Sequence, residues 1–200
     1  MRDYRKQMNH WLESNRPFSA AEIRAAGIPS QVLVEMRAKG LIERIGRGVY
    51  LPVNAMPTEN LSLQSVALKA PDGVICLLSA LRFHKLTTQL PHEVWLAIKS
   101  HHWIPRINSP ELRVVTMSET SFNFGIEEHD IDGITVKVYS VAKTVADCFK
   151  FRNKIGLDVA LEALKEGHRE KRFTASELHQ AAKVCRVTNI IRPYEELIHS

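Results

Sequence analysis

Gly40-Leu41-Ile42-Glu43-Arg44-Ile45-Gly46-Arg47-Gly48-Val49-Tyr50-Leu51-Pro52 decides how the first quarter of this chain folds. Two short β-prone runs, 41–45 and 48–51, flank a Gly-Arg pair. That pattern predicts a hairpin, with Gly46 at the first central position of a type II′ turn. Upstream, Ser30 is positioned to cap a helix over Gln31–Lys39, which Gly40 ends. Before it, Ser19 with Glu22 three residues later forms a capping box for Ala20–Ala26, stopped by Gly27, with Ile28-Pro29 as a tight connector. Earlier still, Tyr4, Met8, Trp11 and Leu12 recur at helical spacing over 3–14, and Pro17 bars continuation. Helix, helix, turn, helix and hairpin in this order make a winged helix-turn-helix.

Downstream, 53–60 has no periodicity and reads as a linker. The body begins with a helix at Leu61–Ala70, stopped by Pro71-Asp72-Gly73. An apolar run at 74–78 passes into helical texture through Phe83. Glu93–Lys99 and Leu112–Met117 are β-like, and 122–139 reads as a hairpin turning at Asp132-Gly133. From Ser140 the texture is helical: Val141–Arg152, Leu157–Glu166, Ala175–Cys185 behind a Thr174/Glu177 capping box, and a last short helix opened by Arg192-Pro193. The expectation is an α+β chain. A winged helix-turn-helix at 1–56 precedes a mixed body at 57–200, sheet-containing to about 139 and helical from about 140.

The 200 residues are 44% hydrophobic and 24% charged, which excludes wholesale disorder and fibrous repeats. No stretch reaches the ~18 apolar residues of a membrane helix, and the charged start Met1-Arg2-Asp3-Tyr4-Arg5-Lys6 is not followed by an apolar signal core. A cytoplasmic protein is expected. Cys76, Cys148 and Cys185 form no CxxC pair, so they read as reduced, buried thiols rather than a zinc site or a disulfide framework. The net charge of +5 is unevenly placed: residues 1–56 carry nine Lys/Arg against five Asp/Glu, while 57–200 carry eighteen against seventeen. A small basic module beside a near-neutral body suggests a polyanionic partner.

On the third helix, Leu33, Met36 and Gly40 face the domain core. At about 100° per residue, Gln31, Val34, Glu35 and Ala38 face away, with Ser30 and Arg37 at the flank. Gln pairs with adenine and Val meets a thymine methyl, so Ser30, Gln31 and Val34 are candidate base readers. Arg37 and Lys39 suit phosphates. Arg44 and Arg47 on the hairpin suit phosphates or the minor groove. Glu35 opposes phosphate unless it accepts from a cytosine amino group.

The body holds no assembled catalytic motif. A nuclease of the Asp/Glu-x-Lys type needs its acid and lysine two apart on a strand. Asp72 sits in a turn, and Glu93 and Lys99 are six apart. His101-His102 reads as a polar loop, and Glu127-Glu128-His129-Asp130 with Asp132 as a solvated hairpin tip lacking calcium-loop spacing. Asp147, Lys150 and Arg152-Asn153-Lys154 read as a polar run at a helix end, the cations suiting the dipole, with a basic surface that meets nucleic acid as the alternative. No cofactor, metal site or enzymatic activity is expected. The rival readings are a DNA-processing enzyme with its active site in the body, tested first at Asp72 and Glu93, and a winged-helix module that binds protein.

Three stretches carry a family resemblance: Gly40–Tyr50, with its Arg47-Gly48-Val49-Tyr50 ending; Ser79-Ala80-Leu81-Arg82-Phe83-His84-Lys85-Leu86 followed by the Glu93–Lys99 strand; and Val138–Phe149 with Lys154–Leu161. In this order the chain resembles the AbiEi antitoxins, regulators of AbiE-type (type IV) toxin-antitoxin systems in abortive infection, a phage defence. Lys143 departs from the pattern where an Arg is expected before Thr144; it keeps the charge without the guanidinium fork. The resemblance implies a non-enzymatic protein with two roles. The winged helix would repress its own operon at repeats in double-stranded promoter DNA; independently, the weak specific binding of one small module makes a homodimer on a repeated site the expectation. The body would counter a nucleotidyltransferase-like toxin without forming a stable complex with it.

Overall fold

The computed structural model describes residues 4–56, 58–105, 107 and 109–198. Residues 1–3, at the start of the first expected helix, and Pro57, in the expected linker, lie outside that set. The chain is α+β and divides into two compact units. The first runs through Asp72 and takes in Pro105–Leu112 and His129–Val136. The second comprises Gly73–Ile104, Arg113–Glu128 and the chain from Lys137 onward.

The first unit contains α1 (Tyr4–Leu12), β1 (Phe18–Ser19), α2 (Ala20–Ala25), α3 (Gln31–Ala38), β2 (Ile42–Gly46), β3 (Val49–Pro52) and α4 (Leu61–Lys69). Its three strands are antiparallel in the order β1-β3-β2. Its core is Met8, Phe18, Ile23, Ile28, Val32, Leu33, Met36 and Ile42, with Tyr4, Trp11, Leu12 and Tyr50 packed around them. The Ser19/Glu22 capping box forms: Glu22 N donates to Ser19 Oγ (3.1 Å), and Ser19 N donates to Glu22 Oε2 (2.6 Å). Both helices of the helix-turn-helix end in a Schellman motif around a left-handed glycine. At Gly27 (φ 76°), Ile28 N bonds Ile23 O. At Gly40 (φ 68°), Leu41 N bonds Met36 O.

Two local expectations are corrected. Ser30 is helical in φ/ψ and makes no side-chain capping bond; α3 is held at its start by backbone bonds from Val32 N to Pro29 O and Leu33 N to Ser30 O. Gly46 lies in β2, not in a type II′ turn. The pairs Arg44↔Tyr50 and Gly46↔Val49 leave Ile45 as a bulge, and the loop is Arg47-Gly48. The positive φ falls on Gly48 (71°), so Gly48 is the residue whose missing Cβ the turn requires.

The second unit contains β4 (Val74–Ile75), α5 (Leu77–Phe83), β5 (Val94–Lys99), β6 (Leu112–Met117), α6 (Glu119–Asn123), β7 (Ile126–Ile131), β8 (Ile134–Tyr139), α7 (Val141–Lys150), α8 (Arg152–Ile155), α9 (Leu157–Arg169), α10 (Ala175–Cys185) and α11 (Thr188–Ile198). The tip of the β7–β8 hairpin is counted with the first unit. The sheet order is β6-β5-β4-β8-β7, with β4 antiparallel to β5 and parallel to β8. Helix α7 is the hub: Val141 through Phe149 are all buried, and it packs against α5, α9, α10 and α11. The Thr174/Glu177 capping box opens α10 as expected.

Phe122 begins no strand. It belongs to α6, where its N–H bonds Ser118 O and its ring is buried. The final helix starts at Thr188, not at Arg192-Pro193; Pro193 sits inside it, and the fully buried Ile191 anchors it. Burial of that apolar face outweighs the hydrogen bond that proline cannot donate.

Candidate nucleic-acid interface

Helix α3 shows one face to the core and one to solvent. Val32, Leu33 and Met36 are buried, while Gln31, Val34, Glu35, Arg37, Ala38 and Lys39 are exposed. Ser30 is exposed at its start. Val34 is 60% exposed, an apolar side chain that no local packing accounts for. Among the expected contact residues, Ser30, Gln31, Val34, Arg37 and Lys39 thus share α3 and its two ends.

The hairpin supplies the other two. Arg44 and Arg47 are exposed, and Arg44 Nε donates to Gly46 O (3.1 Å), folding its guanidinium back along the bulge. Arg47 occupies the loop itself. Beside the hairpin lies a cation that periodicity does not reveal. Lys69, the last residue of α4, donates from Nζ to Ser109 O (2.6 Å), and a Cβ on Gly46 would meet its Cε at 2.5 Å. Partial burial lowers its pKa. Glycine at position 46 therefore leaves room for an ammonium against the wing. Only tertiary contact puts Lys69 there, since 23 residues of sequence separate it from Gly46.

Several of the groups weighed for other chemistry have partners of their own. Glu93 pairs with Arg113 (3.4 Å) and Lys99 with Glu119 (3.5 Å). Asp130 Oδ1 accepts from Gly133 N (3.0 Å), and Asp132 Oδ2 accepts from Gln64 Nε2 (3.1 Å), so these carboxylates shape the hairpin turn. The exposed His102 has Nδ1 3.5 Å from Ser100 O. Among the described residues, no group of three or more His, Cys, Asp or Glu is placed to hold a metal ion, and no helix is long and apolar enough to cross a membrane.

Asp147, which the sequence groups with the polar run at the end of α7, lies in the core instead. Asp147 is fully buried, and its Oδ2 lies 2.5 Å from Nζ of the equally buried Lys143, one turn earlier on α7. Lys143 also sits over the Tyr139 ring (4.2 Å to the centroid), and Asp147 Oδ1 accepts from Cys185 Sγ (3.2 Å). The Tyr139 hydroxyl donates to Phe122 O (2.8 Å), and its carbonyl accepts from Thr144 Oγ1 (3.1 Å). Burial, reinforced by the Asp147 charge, raises the Tyr139 pKa, pushes Cys185 up to about 12 and raises Cys76 and Cys148 well above an ordinary thiol. The three thiols are protonated core residues. The i,i+4 spacing of Lys143 and Asp147 was the available signal for the pair.

Three helices and a three-stranded wing with a solvent-facing second helix of the helix-turn-helix define a winged-helix module, the class of many transcriptional regulators. Residues 6–53 match the family model described as transcriptional regulator, AbiEi antitoxin. The matched span includes Gly40–Tyr50, the first of the stretches that carry the resemblance. No curated protein matches the chain.

Proposed function

We propose that this protein is an AbiE-type antitoxin that represses its own operon. In this reading the exposed face of α3 enters the major groove. Ser30, Gln31 and Val34 meet base edges, while Arg37, Lys39, Arg44 and Arg47 hold phosphates. Lys69 adds charge beside the wing. The observation that carries the reading is the exposed face of α3 next to an arginine-bearing wing, within the segment that matches AbiEi regulators. The module is small, so two copies on a repeated promoter site supply the affinity one copy lacks. The second unit counters a nucleotidyltransferase-like toxin functionally, without a stable complex, in the cytoplasm and without catalysis of its own.

A two-reporter test separates the roles. The chain is expressed beside its own upstream region fused to a reporter, and separately beside the neighbouring toxin gene. Repression that Gln31→Ala and Arg47→Ala relieve, with toxin protection intact in both variants, is the expected result. Unrelieved repression would remove these residues from the interface, and absent protection would remove the antitoxin role.

A further inference from the structure

We propose that the second unit binds a small phosphorylated ligand of the nucleoside diphosphate class. The site is a groove of about 470 Å³ where the end of β6, the junction of α7 with α8, and the turn between α10 and α11 converge. Lys150, Arg152 and Arg186 bring three cations to it, and Ser118 and Thr116 bring hydroxyls. Met117, Val187 and Ile190 make an apolar wall. No carboxylate lines it among the described residues, and none of the three cations has an ion-pair partner among them. Arg152 donates from Nη1 to Phe149 O (2.9 Å), and Lys150 lies over the Phe151 ring. Both side chains are thus positioned while their charges remain unneutralised.

Helix dipoles account for part of this, since Lys150 ends α7 and Arg186 caps α10. Arg186 holds the left-handed position at the end of α10 (φ 60°, ψ 42°), as Lys85 and Lys171 do just past α5 and α9, and it lines the groove. Two guanidiniums and an ammonium match a diphosphate, which Arg binds through paired donors. The apolar wall suits a base, and the volume suits one small ligand rather than a duplex. Cys185 lines the floor, but its protonated thiol offers no nucleophile.

Arg186→Gly is the decisive variant, because glycine accepts the left-handed backbone and removes only the side chain. Calorimetric titration of the full chain with ADP should give sub-millimolar binding that weakens with salt. Arg186→Gly should weaken it about tenfold with no fall in melting temperature, and Lys150→Gln should weaken it in the same direction. Pyrophosphate should bind more weakly than ADP. No ADP binding, or equal binding by Arg186→Gly, would overturn the proposal. Pyrophosphate binding as tightly as ADP would overturn the role of the apolar wall. Displacement of ADP by an unrelated duplex at equal phosphate concentration would make the groove a nucleic-acid surface and overturn the small-ligand assignment.

Discussion

Lys143 and Asp147 are both completely buried, so each depends on the other to avoid an unpaired charge in the core. Removing one partner strands the other: Lys143→Ala or Asp147→Ala should each cost about 3–5 kcal/mol in urea unfolding, and the double variant Lys143→Met/Asp147→Leu should recover most of that loss. Single variants within about 1 kcal/mol of wild type would show that the pair is solvated. The sequence displayed both residues but not their depth, because a lysine and an aspartate at this spacing are far more often a surface pair. Cys185 gives a pH signature from the same cluster. Its folded pKa, pushed up to about 12, lies above the ordinary 9.0. Its contribution is therefore complete below about pH 9 and drains away as pH rises toward about 12. Urea midpoints should fall across that window and fall less in Cys185→Ala. At neutral pH the three thiols should resist a thiol reagent until the chain unfolds, since all are buried.

At the scale of elements, two serines make contrasting tests. Ser19 caps α2 through its hydroxyl, so Ser19→Ala should cost about 1 kcal/mol of stability. Ser30 makes no capping bond, so Ser30→Ala should change stability by less than about 0.5 kcal/mol. Any loss of DNA binding by Ser30→Ala would then be a loss of contact rather than of structure. Chemical denaturation of the two variants side by side checks both values. The capping boxes at Ser19 and Thr174 and the glycine stops at Gly27 and Gly40 were legible because their physics is local. The wing turn was one register out, because the bulge at Ile45 depends on how β2 meets β3. Phe122 and Pro193 were misplaced for a tertiary reason: burial of Phe122 and of Ile191 sets those helices. The exposed face of α3 followed from periodicity, whereas Lys69 reaches the wing only through the fold.

For the whole molecule, the charge asymmetry of the sequence sets the central expectation. The excess of cations lies in the first 56 residues, which include the segment matching AbiEi regulators. Arg47→Ala should weaken binding to all duplexes about equally and flatten the salt slope by about one unit. Gln31→Ala should instead erode discrimination between duplexes, which competition titrations would read. Both rest on DNA binding itself. A salt titration of binding to the duplex upstream of the gene, beside a scrambled duplex of equal length, tests that claim most directly. Four to six phosphate contacts predict preferential binding to the upstream duplex, with a log–log salt slope of about −4 to −5. Equal weak binding to both duplexes, or none, would contradict the account.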